Sequence, residues 1–177
     1  AKTAYKETDA ATYQAMEALV HNLNTMNSRA GAQVPFSSLN YGTDTSPEGR
    51  MTVHNLLRAT EAGLGDGETP IFPVQIFKVK EGVNYNEGDP NYDLFRHALR
   101  CSAKRLFPNF SFLDAPFNLQ YYKPGDYNTE VAYMGCRTRV MGNVFDNTKE
   151  VTCGRGNLSF TSINLSLIHI SEPTRRS

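Results

Sequence analysis

Cysteine is scarce and badly spaced for any covalent or metal framework: Cys101, Cys136 and Cys153 are odd in number, far apart and never in a Cys-x-x-Cys pair. That argues against a disulfide-stapled fold and against a zinc knuckle, and makes reduced thiols in a reducing compartment the simpler reading. Histidine is sparse too. His21, His54 and His97 fall on three separate predicted helices and make neither a Cys-His nor a metal pattern by spacing. No charge dominates: 18 Lys and Arg face 18 Asp and Glu, with no long run of either sign. Nothing therefore indicates a sequence-independent grip on nucleic acid. No apolar run approaches the roughly 18 residues of a membrane-spanning helix, and no secretory signal is visible. Internal repeats and low-complexity segments are missing as well. The expectation is a cytoplasmic protein without a membrane or a direct nucleic-acid partner, and 177 residues suffice for one domain with a core.

What is present alternates between helix and strand signals. Tyr13, Met16, Ala18, Leu19, Val20 and Leu23 recur at helical spacing, which predicts a helix from about Asp9, its cap, to about Met26. Residues 34–41 read as a short strand entered through Pro35. Ser46, Pro47 and Glu48 then supply a capping residue, a proline at the first helical position and an acid in the first turn, so a second helix should run from about Pro47 to Ala62. Gly63 to Gly67 ends it. Residues 71–78 make the next strand, apolar enough to be buried on both faces. After a long polar loop a third helix opens near Asp89, Pro90 or Asn91 and must stop before Pro108. Residues 109–112 are a third strand candidate, residues 118–128 a loop, and residues 158–163 a final strand. Strands alternating with helices in this way imply an α/β fold with a mostly parallel sheet.

The stretch the chain is organised around is residues 131–139, with Cys136 between Gly135 and Arg137, followed about twenty residues later by the turn Gly154-Arg155-Gly156-Asn157. A lone cysteine is more often a small buried hydrophobe than a reactive group, although Arg137 and Arg139 would favour a thiolate and so a nucleophile. Asn157 after glycine is, on its own, an ordinary turn residue. Met134 reads as core packing. Arg137 and Arg155 have the chemistry to meet phosphate oxygens, or equally to pair with an acid. The donors at Gly42 to Ser46 would suit a phosphate, but a helix cap explains the same residues. Cys101, on a predicted helix, reads as core, and Cys153 as an incidental turn residue.

Taken with their surroundings, these residues resemble a known family. "VAYMGCRTRVMGNV" (131–144) and "GRGNLSFTSINL" (154–165) look like the catalytic core of the anaerobic, class III ribonucleoside-triphosphate reductases, which are glycyl-radical enzymes. Residues 24–51, 63–94 and 102–125 read like consecutive blocks of the same family, so the resemblance covers nearly all of residues 1–164. It implies a ten-stranded α/β barrel with a central finger loop that carries the cysteine at its tip. It also implies that Cys136 works as a thiyl radical on the ribose and that Asn157 reaches the active site, where its neutral amide can bond a substrate hydroxyl. Met134 resembles the branch that uses formate as reductant. The parent enzyme would take ribonucleoside triphosphates and form a homodimer. It would depend on a radical SAM activating enzyme with an iron-sulfur cluster, on a glycyl radical and on a structural zinc. The radical glycine, the zinc ligands, a second cysteine upstream and the allosteric nucleotide-binding region are not in this sequence.

The chain accordingly reads as an internal piece: residues 1–165 as part of the catalytic barrel domain, expected to have no turnover alone, and residues 166–177 as a foreign tail. That tail looks like a translated adapter from a sequencing library and is set apart from fold and function. The expected partial barrel should expose open strand edges and an apolar inner face. Two other readings compete with the reductase. One makes Cys136 the nucleophile of a hydrolase or transferase, which requires a histidine or another base within reach. The other is a non-catalytic α/β module, in which Cys136 and Asn157 would lie apart and face solvent.

Overall fold

The computed structural model describes residues 2–28, 30–136, 138–141, 143, 146, 148 and 154–156. Their elements, in chain order, are α1 (Lys2–Thr25), β1 (Ser38–Tyr41), α2 (Pro47–Ala62), β2 (Val74–Val79), α3 (Tyr92–Arg105), β3 (Asn109–Phe112), α4 (Pro116–Leu119), a 3-10 turn (Tyr127–Thr129), β4 (Ala132–Met134) and β5 (Thr138–Val140). β1, β2 and β3 form a parallel sheet in that order, with Ser38 opposite Val74 and Ile76 opposite Asn109. β4 and β5 form a separate antiparallel hairpin. The fold is thus mixed α/β with a parallel sheet, as the alternation predicts. No closed barrel is present among the described residues.

Local chemistry sets most boundaries. Ser46 is extended and its hydroxyl accepts from the Gly49 N–H at 3.1 Å, Pro47 occupies the first turn, and Gly63 at φ 86° ends α2. The loop thus serves as a cap: the Asp44 carboxylate also accepts from the Ser46 N–H at 2.8 Å, and that bond holds the Asp44 carboxyl below its usual range. α3 ends where Leu106 turns left-handed at φ 66°, two residues before Pro108.

Three expectations about element boundaries need correcting. α1 begins well before Asp9, which does not cap it. The Asp9 carboxylate instead accepts from the Asn55 amide at 2.8 Å and faces Arg58 at 3.7 Å, tying α1 to α2. The first two strands start later than the apolar pattern suggests, at Ser38 and Val74, because Pro35 and Pro73 have no N–H to give a ladder. Residues 118–128 are not simply loop, since they hold the end of α4 and the 3-10 turn. The predicted strand over 158–163 and the tail 166–177 lie outside the described residues.

The pleat gives the sheet two unlike faces. Phe77 and Val79 pack with Val53, Leu57, Leu94, Ala98 and Cys101 under α2 and α3, and Leu39 and Tyr41 pack against Val20, Leu56 and Ala59 under α1 and α2. The alternate positions, Ser38 and Asn40 on β1, Val74, Ile76 and Lys78 on β2, and Asn109 and Ser111 on β3, form the opposite face. Apart from Val74 and Ile76, both buried, it is polar. The exposed apolar inner face expected for a partial barrel is therefore reduced to a buried strip on β2, because the residues of β1 and β3 on that side carry a hydroxyl or an amide.

Candidate active site

The polar face is where the cysteine stands. In the hairpin, Tyr133 lies opposite Arg139 and Met134 opposite Thr138. Gly135 and Cys136 enter the turn. Gly135 has φ 64°, and a Cβ there would come 3.3 Å from Phe36 Cε1, so both its conformation and its surroundings favour glycine. Cys136 is exposed and lines an open cleft of about 370 Å³ with Ile76, Asn109, Phe110, Tyr133 and Arg139.

Several polar groups at this cleft and on the same face of the sheet are paired. The Arg139 guanidinium donates to Asn118 Oδ1 at 3.0 Å and lies 4.9 Å from the centre of the Phe117 ring, so its acceptors among the described residues are neutral. Lys78 Nζ meets Glu130 Oε1 at 2.7 Å with both side chains nearly buried, and Lys80 stands 4.0 Å from the other oxygen. The Ser111 hydroxyl is buried and has no hydrogen-bond partner among the described residues. β1 contributes Asn40 and Ser38, which bond the backbone of Tyr133 and Gly135.

Of the residues singled out from the sequence, Cys136 is in this cleft and Met134 is half-buried in β4. Asn157, Arg137 and Cys153 lie outside the described residues, and Arg155 is exposed in the 154–156 turn. Cys101 is fully buried, its Sγ 3.7 Å from the Leu57 carbonyl, and burial pushes its thiol up to about 11; it is core, as read. His54 and His97 come together, with ring centres 5.2 Å apart, but on α2 and α3 beneath the other face of the sheet. Among the described residues no histidine lines the Cys136 cleft, so the base that a nucleophilic thiol would need has no support there. Sequence reasoning passed over Ser38, Asn40, Lys78 and Glu130. A usable signal was the alternation of Ser38 and Asn40 with Leu39 and Tyr41, which marks a strand with one polar face.

Fold and site define the class: a mixed α/β protein in which a hairpin lays an exposed thiol against the polar face of a parallel sheet. The family model for anaerobic ribonucleoside-triphosphate reductase matches residues 1–176, and the chain belongs to that family. The chain is 34% identical over 157 residues to the anaerobic ribonucleoside-triphosphate reductase of Escherichia coli K12, an alignment covering 88% of this chain and 21% of the relative. It is 34% identical over 166 residues to that of Salmonella typhimurium, covering 93% and 22%, and 36% identical over 166 residues to that of Enterobacteria phage T4, covering 93% and 26%. The chain thus spans about a fifth to a quarter of the length of these curated relatives.

Proposed function

We propose that this chain is the thiol-bearing segment of an enzyme that reduces ribonucleoside triphosphates to deoxyribonucleoside triphosphates, with Cys136 as the group that acts on the ribose. The observation that carries the reading is the place of Cys136: at a hairpin turn, exposed, in a cleft beside Asn109, Tyr133 and Arg139, in a chain of this family. The parallel sheet would be part of the wall of a ten-stranded barrel and the β4–β5 hairpin its finger loop. Cys136 is exposed in this chain, so the remaining walls would have to come from the rest of the enzyme.

The chemistry needs a one-electron partner for a C–H bond, and sulfur suits it because it accepts and returns a hydrogen atom readily. As a thiyl radical, the Cys136 sulfur takes the 3′ hydrogen of the ribose and becomes S–H. The 2′ hydroxyl, once protonated, leaves as water. Two electrons are then required, and formate, oxidised to carbon dioxide, supplies them in this proposal, with Met134 as its sequence mark. Return of the hydrogen from S–H to the 3′ carbon restores the sulfur radical and leaves the deoxyribonucleotide. The Asn157 amide would hold a ribose hydroxyl without imposing charge. The glycyl radical, when present, supplies the unpaired electron, and its glycine is not in this sequence. Among the described residues no three His, Cys, Asp or Glu side chains converge, so a structural zinc has no holder there. The same proposal gives the complete enzyme a homodimeric state and a radical SAM activating partner with an iron-sulfur cluster. Residues 166–177, into which the family match extends, are given no role, and the chain alone should have no turnover.

Replacing Cys136 by Ser in the complete enzyme tests this. Deoxyribonucleotide formation should fall below detection while the glycyl radical, followed by electron paramagnetic resonance, still forms. Reduction at the normal rate would overturn the assignment.

A further inference from the structure

Among the described residues, the hairpin that carries Cys136 is fastened to the sheet by two side chains instead of a strand ladder. In an antiparallel pair, successive residues turn their backbone groups to alternate edges, and Tyr133 and Gly135 turn theirs away from β5 and toward β1. There Asn40 Nδ2 donates to the Tyr133 carbonyl at 2.8 Å, and Asn40 Oδ1 accepts from the Tyr133 N–H at 2.8 Å. Ser38 Oγ accepts from the Gly135 N–H at 3.2 Å. The Asn40 amide thus gives β4 one donor and one acceptor, as a residue of a partner strand would.

The two attachments share a register. Ser38 and Asn40 are two apart on β1 and on the same face, while Gly135 and Tyr133 are two apart on the hairpin and meet them in the opposite order. Two points so matched fix the position of the hairpin along the sheet. A slip by one residue would move the thiol by about 3.3 Å and turn it to the other side. Gly135, held by Ser38 and packed against Phe36, is the residue immediately before the cysteine.

We propose that Ser38 and Asn40 are positioning residues for the Cys136 thiol, setting where its sulfur stands in the cleft through the backbone of Tyr133 and Gly135. The proposal rests on the reading of Cys136 as the reacting group. Hydrogen-atom transfer demands close approach, and a misplacement of about 1 Å can cost about 100-fold in rate.

Asn40→Asp in the complete enzyme is the diagnostic variant. A protonated carboxyl offers one donor and one acceptor, as the amide does, whereas a carboxylate only accepts and would face the Tyr133 carbonyl. The introduced carboxyl is ionised in the assay range, and the variant should lose about 100-fold in kcat, with the KM for ribonucleoside triphosphate within about twofold. Ser38→Ala should lower kcat about tenfold, and Ser38→Thr, which keeps the oxygen, should restore it. Glycyl-radical content should match wild type throughout. A wild-type kcat for Asn40→Asp or a rise in KM alone would overturn the proposal. If Asn40→Asp fails to fold, equal activities of Ser38→Ala and Ser38→Thr would overturn it. Cys136→Ser, assayed alongside, separates the two ideas: activity in that variant sinks the reading of the cysteine, while its inactivity beside a fully active Asn40→Asp sinks only the clamp.

Discussion

Lys78 and Glu130 meet at 2.7 Å with side chains only 12% and 9% exposed, so each meets an opposite charge where little water reaches. Burying two ions costs much of what their attraction returns, whereas removing one leaves the other stranded. Lys78→Met should therefore destabilise the fold by about 3–5 kcal/mol, and Lys78→Met with Glu130→Leu should recover most of that loss. A double-mutant cycle from urea unfolding checks both, and an additive double variant would show that the pair is not coupled. Gly42 is constrained more simply. At φ 122°, with the Lys78 carbonyl oxygen 2.8 Å from where a Cβ would sit, it allows β1 to leave the sheet close against β2. Gly42→Ala should cost on the order of 3 kcal/mol, from backbone strain and the clash together. An unchanged unfolding midpoint would contradict this.

Between α2 and α3 the elements are joined by polar contacts around one acid. Glu61 Oε2 takes His97 Nε2 at 3.2 Å and Arg100 at 3.5 Å, and the Arg105 guanidinium donates to the Glu61 and Ala62 carbonyls at the end of α2 and to the Gly67 carbonyl just beyond. Burial pushes the His97 imidazole below its usual 6.5, against the raising effect of Glu61. Burial would raise the Glu61 carboxyl, but the bonds from His97 and Arg100 prevail and leave it below its usual 4.5. Both shifts have the same sign for stability, since the unfolded chain binds protons more readily than the folded one. The His97 contribution is complete above about 6.5 and is lost as pH falls through its lower folded value; that of Glu61 follows below about 4.5. The urea midpoint of the chain should therefore decline as pH drops from about 7 to about 5, and His97→Gln should flatten that part of the curve. A midpoint that rises with acid would refute the assignment.

For the whole molecule the open questions are its edges. Among the described residues no strand pairs with the outer edge of β3, and near it Phe112 and Phe117 are 53% and 56% exposed. On the β1 side Phe36 and Ile71 are more exposed still. Unpaired edges beside apolar side chains recruit other chains. The isolated chain should self-associate at micromolar concentration, and Phe112→Lys should shift it toward monomer in sedimentation velocity; a monomer throughout would show that the edges are adequately protected. The local elements were legible in the sequence where their causes are local. Ser46, Pro47, Glu48 and Gly63 mark both ends of α2, Pro108 bounds α3, and β3 matches residues 109–112 because turn and capping chemistry acts within a few residues. The family, too, is carried by local blocks, and with it the choice of Cys136. The beginning of α1 was not legible, because Asp9 serves as a partner for Asn55 and Arg58 and not as a cap. Nor were the polar face of the sheet, the Lys78–Glu130 pair or the hold of Ser38 and Asn40 on the hairpin, which join residues 52 to 97 positions apart. Capping, turns and the cysteine motif were determined by the sequence because neighbours along the chain suffice to define them. Where the thiol stands was decided by the tertiary structure, because only the folding of the chain lays the hairpin on β1, where Ser38 and Asn40 meet a backbone 93 to 97 positions away.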